Sequence, residues 1–587
     1  MKENTLNVPR RWAVACASLV TALALTGCSD SGTGPTPPVN PGTGPGTPVT
    51  LNIFGVATVT GSGGVNLTNA GRYAVIPQFA ASQDFATGTG RATVPDFPFT
   101  IGGVASLTAR VDQPTERPAA KLSVVEAFHM RMRQVEVEEA PRAAAFMQQL
   151  RARPPVSLSV QAQQQGQTSR DFRVLSSLTT STYTTVRARL LYTGTNILLF
   201  VDSLAPTVGG FTDAEYASFG RQFDQDLFPI DVTTFGATSD IDSNGRTFVL
   251  FTPLVNRLTL GSGACGTFVA GFFNGSDLSG NVNANRAEIF YSSVPGEPAG
   301  GPTCQPLSVA TVRNGAPATF IHELQHMISF NQHVLLRSGA SEDIWLNEGL
   351  SHMAEELGGK LYESRYPCPS LPPCPPQGRG STAQIFPDSA QGFLPPNFSN
   401  AYDFFSRRLS FSLTSPTSFG TLEERGVAWL FLRWLIDQKG EARLGQLVQT
   451  RSTGTGNVEA VAGETFRVLF ADFLAATLLD DYPGATAGQI PTRFQYTSRN
   501  LRAIYARLNS IAAAAYPTPY PLDVADLLTP NRLTPASVSL SRQMKPGSLD
   551  LFLFTSASTN SGFTFKPAAG NFGSTLNAQV TVVRLPN

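Results

Sequence analysis

The chain has 587 residues, with 43 Lys and Arg balanced by 43 Asp and Glu, so its formal net charge is zero. Charged residues make up only 15% of it, which excludes the basic footprint that nucleic acid or an anionic lipid surface would require. The length suits three or more domains, and beyond the N-terminal apolar run no segment is long and apolar enough to span a bilayer.

Residues 1–28 read as an export signal: Lys2, Arg10 and Arg11 supply a positive start, residues 12–25 an apolar run, and Leu25-Thr26-Gly27-Cys28 the end. That ending resembles a bacterial lipobox, which implies that Cys28 is acylated and becomes the mature N-terminus. Residues 29–50 (SDSGTGPTPPVNPGTGPGTPVT) hold no apolar cluster and read as a tether on the order of 60 Å when stretched. Ser29 after the cysteine favours outward sorting, so the expected location is the cell envelope. The protein would be lipid-anchored in the outer membrane, facing the periplasm or exterior, with the lipid as its membrane contact.

Residues 51–120 alternate apolar and polar positions between Gly-rich turns and read as an N-terminal β domain. Residues 121–184 read as a helix, over 122–153, and a linker. Glu136, Glu138 and Glu139, mixed with arginines, read as a solvated face. This region is either a prosegment covering a cleft, cut near 161–167, or a permanent spacer. A lipid on a prosegment would release the remainder on cleavage.

Strands and helices alternate over 185–484. Ile197-Leu198-Leu199-Phe200-Val201 suits a central strand, and Thr212 with Glu215 forms a capping box that opens a helix. Asp240, Asp242 and Asn244, followed by Gly245, have the oxygen ligands and turn of a calcium loop. The twelfth position is Phe251, so the loop is not an EF-hand; a Ca2+ site completed from elsewhere and a plain polar turn both remain open. Of the exported cysteines, Cys265 is expected to pair with Cys304 and Cys368 with Cys374, one of three connectivities.

Four of the five histidines lie within 320–357. His322-Glu323-Leu324-Gln325-His326 is an HExxH pattern, and residues four apart on a helix share a face, so both imidazoles can reach one metal ion. Zinc with three protein ligands keeps an open position for water, and Glu323 beside it serves as general base. The third histidine of metzincins, six residues after the second, is absent, since position 332 is Gln. His333 lies seven residues after His326, about 10.5 Å along a helix, and is expected at the surface or helix end. Glu348, 22 residues beyond His326, is the expected third ligand. It shares a helix face with Ser351, His352 and Glu355, opposite Leu346, Leu350, Met353 and Leu357.

HExxH followed by Trp345-Leu346-Asn347-Glu348-Gly349-Leu350-Ser351 resembles the hyicolysin family of gluzincin metallopeptidases over roughly residues 185–480. The resemblance implies a zincin-type catalytic domain with a mixed sheet, and a strand at 287–291 forming the cleft edge on which an extended polypeptide could lie. Thermolysin-like enzymes have Asp where this chain has His352. Glu355 is the candidate replacement that orients a ligand histidine, with Asn347 and Ser351 beside it, and His352 is a candidate transition-state group. Tyr362, Tyr366 and Tyr402 are further candidates for stabilising the oxyanion. The Gly-x-Met-Glu-Asn signature of gluzincin aminopeptidases is absent, which favours an endopeptidase acting on proteins or peptides.

Apolar helices at 425–439 and 466–479 are expected to build a lobe below the site, and residues 485–587 a helix and a C-terminal β segment. The fold class is therefore α+β, a catalytic domain flanked by β segments. The expected function is that of a monomeric, lipid-anchored zinc metalloendopeptidase. The competing reading is a non-catalytic surface lipoprotein, for adhesion or binding, with a structural zinc site.

Overall fold

The computed structural model describes residues 47–82, 94–103, 109–110, 123–152, 168–177, 179–262, 265–301, 303–365, 392–414, 420–524, 527, 531–537 and 539–587. Cys28 and the signal, the tether to residue 46, the 161–167 stretch, Tyr366, Cys368 and Cys374 lie outside them. Among the described residues no helix is long and apolar enough to cross a membrane.

The N-terminal strands are β1 Thr47–Val49, β2 Val56–Thr60, β3 Gly63–Leu67, β4 Gly71–Phe79, β5 Phe97–Gly103 and β6 Ala109–Arg110. Helix α1, Val124–Arg151, follows; its capping box joins Ser123 and Glu126. Next come β7 Ser169–Leu175, β8 Tyr183–Thr193, β9 Ile197–Asp202, α2 Asp213–Gln222, α3 Phe228–Phe235, β10 Thr247–Phe251, β11 Gly271–Phe273 and β12 Ile289–Ser292. The helices α4 Val309–Phe330, α5 Ile344–Arg365, α6 Pro395–Ser406, α7 Leu422–Lys439, α8 Phe466–Leu479 and α9 Leu501–Ile511 precede β13 Arg532–Leu533, β14 Ser539–Met544, β15 Phe552–Ser556, β16 Ser561–Pro567 and β17 Ala578–Leu585.

The two ends of the chain interleave. One sheet has the order β1-β3-β16-β5-β14-β6 and the other β13-β15-β4-β17-β2. β4 runs antiparallel to β17 with Val75 opposite Val582, and β5 to β16 with Ile101 opposite Phe565. Phe79, Phe99 and Phe565 fill the space between the sheets, Phe99 and Phe565 with ring centroids 5.6 Å apart. The β segments placed separately at 51–120 and 485–587 are thus halves of one sandwich. Each half leaves strand edges and an apolar face that the other covers.

The central sheet has the order β11-β12-β10-β9-β8-β7. β9, β10 and β12 are mutually parallel and buried along their whole length, as their unbroken apolar runs require. β11 is antiparallel to β12 and lies at the edge. The strand at 287–291, expected at the cleft edge, is therefore interior, with β10 on one side and β11 on the other. β11 is only three residues long, too short for an alternation pattern to reveal.

Helix α4 is buried on all sides from Phe320 to Phe330, with Phe320 stacked on Phe223 at 4.3 Å and edge-on to Phe290 of β12 at 5.6 Å. Helix α7 is buried continuously from Glu424 to Ile436 and packs on α5. Gly349 makes that approach close: an added Cβ would stand 3.1 Å from Ala428 Cβ. The Cys265–Cys304 bridge is present and closes a loop of sequence separation 39 near the edge strand. Replacing Cys304 by Ser is expected to cost about 3–4 kcal/mol of stability, read as a lower thermal midpoint. An unchanged midpoint would make the bridge energetically neutral.

Candidate metal centre

Helices α4 and α5 carry the centre. His322 and His326, one turn apart on α4, bring their Nε2 atoms to 3.1 Å of each other. Two nitrogens each about 2.05 Å from a tetrahedral zinc would lie roughly 3.3 Å apart, so the pair already has ligand spacing. Glu348, from the first turns of α5, places Oε2 3.5 Å from His322 Nε2 and Oε1 3.9 Å from His326 Nε2. All three side chains are buried.

The outer nitrogens are held as well. His322 Nδ1 lies 2.8 Å from Glu355 Oε1, while His326 Nδ1 lies 3.1 Å from Asn347 Oδ1 and 3.0 Å from Ser351 Oγ. A hydrogen bond from Nδ1–H leaves Nε2 with a lone pair, the tautomer a metal ligand needs. His322 and His352 also share a ligand-distance cluster with Glu355, whose second oxygen bonds His352 Nδ1 at 2.9 Å. In that cluster His322 faces Glu355 through Nδ1, so its Nε2 is left for His326, with which it and Glu323 form a second ligand-distance cluster. The donor set of two imidazoles and a carboxylate fits zinc.

Charge follows from these neighbours. Burial opposes a charged His322, yet the Glu348 and Glu355 carboxylates hold it up to about 10 when no metal is bound. Burial also opposes an ionised Glu348, but Arg425 and the two histidines hold it well below the usual carboxylate range. Arg425 Nη1 stands 3.3 Å from Glu348 Oε2. It leaves the first turn of α7, after a capping box between Thr421 and Glu424, where the contact at Gly349 brings α7 against α5. In the sequence Arg425 opens an apolar helix expected to be core. A buried arginine in such a run must have a buried carboxylate partner, and that requirement was the available signal.

Glu323 points from α4 to the edge strand. Its Oε2 accepts a hydrogen bond from Phe273 N of β11 at 3.0 Å, while Oε1 is buried without a hydrogen-bond partner. Burial pushes the Glu323 carboxyl up, in the direction that favours a general base near neutral pH.

Helix α1 lies across this centre. Arg133 Nη2 stands 3.5 Å from Glu323 Oε2 and 3.1 Å from Glu136 Oε1, and His129 Nδ1 stands 3.7 Å from Glu323 Oε1. Asn347 Nδ2 donates to Glu136 Oε2 at 3.3 Å. The helix also packs on β11, with Phe128 edge-on to Phe272 at 5.2 Å. Its start bonds the start of α7 through Leu422 N and Glu126 Oε1 at 2.9 Å, and its end reaches Leu335 O through Arg151. The expected solvated face at Glu136 is therefore corrected: Glu136 and Arg133 are 1% and 2% exposed, while Glu138 and Glu139 do pair with arginines at the surface. The intermixed charges concealed this, because a helix face is judged solvated unless its partner is known.

His352 Nε2 is buried without a partner, and its ring lies 4.9 Å from that of His322. The Tyr402 hydroxyl is tied to Thr518, donating to its carbonyl at 2.9 Å, and the Tyr362 hydroxyl accepts from Gln222. His333, expected at the surface or a helix end, is at a helix end but fully buried, 3.6 Å from Glu342. Asp240 and Asp242 cluster with Glu288, while Asn244 caps Asp242.

No family model matches the chain. The neutral metalloprotease ShpI of Staphylococcus hyicus is 28% identical to it over 171 residues, 29% of this chain and 36% of ShpI. The likeness supports a metallopeptidase family. The chain thus spans about a third of the length of this curated relative. The α+β architecture and the His/Glu clusters are compatible with a metallopeptidase domain and its metal ion.

Proposed function

We propose that this chain is an exported, lipid-anchored zinc metalloendopeptidase of the gluzincin type, with α1 holding it latent. The observation that carries the reading is the convergence of His322 Nε2, His326 Nε2 and the Glu348 carboxylate, with Glu323 one residue from His322 and anchored to the edge strand. Those three residues would hold zinc, which would supply the Lewis acidity to polarise a scissile carbonyl and acidify water. Glu323 Oε1, lacking a hydrogen-bond partner, takes the proton from the attacking water and passes it to the leaving amine. Phe273 N fixes the carboxylate through the other oxygen. His352, held by Glu355, supports the oxyanion through its partnerless Nε2. An extended polypeptide would lie along β11, the edge that α1 covers.

The envelope location, the anchor at Cys28 and the monomeric state rest on the sequence reading alone. Purified full-length protein is expected to hold about one zinc per chain by elemental analysis. Glu348→Ala is expected to lose at least ~10-fold in zinc affinity. Stoichiometric zinc retained by that variant at low free zinc would remove Glu348 from the ligand set.

A further inference from the structure

The loop between α3 and β10 carries a second cluster of oxygen donors, remote in sequence from the histidine centre. Asp240, Asp242 and Glu288 each present a carboxylate oxygen, and these atoms lie within 4.8 Å of one another. Two of the three come from the loop, and the third from outside it. Glu288 immediately precedes β12, whose parallel register with β10 sets Phe248 opposite Ile289, and Phe248 N donates to Glu288 O at 2.7 Å. That pairing draws the Glu288 side chain under the loop, where Oε1 accepts from Ile241 N at 3.0 Å.

The other oxygen is the informative one. Glu288 is 0% exposed; the Ser239 hydroxyl lies beside its carboxylate, but Oε2 has no partner at hydrogen-bond distance. A carboxylate oxygen buried in that way is costly unless a cation or donor meets it. The loop backbone is shaped around the same point: Gly245 turns at φ 70, Gly245 N donates to Asp240 Oδ1 at 3.0 Å, and Asn244 N and Nδ2 donate to Asp242. Among the described residues the cluster is ion-paired to Arg170, whose guanidinium lies over the Phe248 ring at 4.4 Å and reaches Asp242 Oδ2 only at 3.8 Å. Three carboxylates against one guanidinium leave two formal negative charges, the complement of a divalent ion.

We propose that Asp240, Asp242 and Glu288 bind a calcium ion that clamps the α3–β10 loop to β12. The donors are all oxygen, with no histidine or cysteine among them, which selects a hard cation over zinc. Glu288 takes the part that an in-loop glutamate plays in an EF-hand, whose position here is Phe251. Because β12 also pairs with β11, the clamp stiffens the sheet edge on which Glu323 rests. The site stands whether or not the histidine centre is catalytic.

The test uses the full-length protein stripped with EGTA and returned to buffer containing zinc, so that the histidine centre stays loaded. Addition of ~2 mM CaCl2 is expected to leave about one calcium bound per chain and to raise the thermal midpoint by about 2 °C or more. Glu288→Gln and Asp240→Asn are each expected to abolish both effects. Asp240 is exposed, so its variant tests the site without disturbing the core. Failure of the parent protein to bind calcium, an undiminished response in Asp240→Asn, or an equal response to MgCl2 would each overturn the assignment.

Discussion

Glu323→Gln is expected to lower casein cleavage by about 10²–10⁴-fold while zinc remains bound. The carboxamide has the same shape, and its oxygen can still accept from Phe273 N, so the edge-strand contact at 3.0 Å survives. What disappears is the basic oxygen, Oε1, which makes no hydrogen bond and belongs to the residue next to His322. His322, His326 and Glu348 are untouched, so elemental analysis should read the same zinc content in both proteins. Equal cleavage by the two zinc-loaded forms would sink the proposed mechanism. Zinc with no cleavage by either, even with α1 displaced, would favour the non-catalytic surface lipoprotein with a structural metal.

Arg133→Glu is expected to raise the peptidase activity of the full chain, on the order of 10²-fold if loss of the buried ion pairs is expressed mainly as release of α1. In the parent protein the guanidinium lies between Glu323 and Glu136, 3.5 and 3.1 Å away, and it is almost wholly buried. A carboxylate there would set three negative groups against one another, and displacement of α1 relieves all of them. A fall in activity with zinc unchanged would mean that Arg133 serves catalysis, and the latency reading would fail. Nicking the chain between 153 and 167 is a second route to the same release. The nicked halves should still elute together, because β4 remains paired with β15 and β17. A lipid at Cys28 would then keep the catalytic part anchored, contrary to the release expected if the N-terminal region were a detachable prosegment.

The grouping of the candidate site was legible because it is local. HExxH sets its own geometry through the pitch of one helix, and the 22-residue step to Glu348 is short enough for two adjacent helices to present one site. The same holds for the Thr212 and Glu215 capping box and for the continuous apolar strand at β9.

Other features needed chain segments that meet only in space. Pairing β4 with β17 joins residues some five hundred positions apart, and neither strand's alternation names its partner. Arg425 reaches Glu348 because Gly349 lets two helices close to contact, and Glu288 completes the acidic loop because β10 and β12 are in register. The covering of the centre by α1 is of the same kind. Residue spacing along one element determined which side chains could share a metal; the packing of elements against one another decided which charges are buried beside them, because a buried charge must meet a partner that only another element brings.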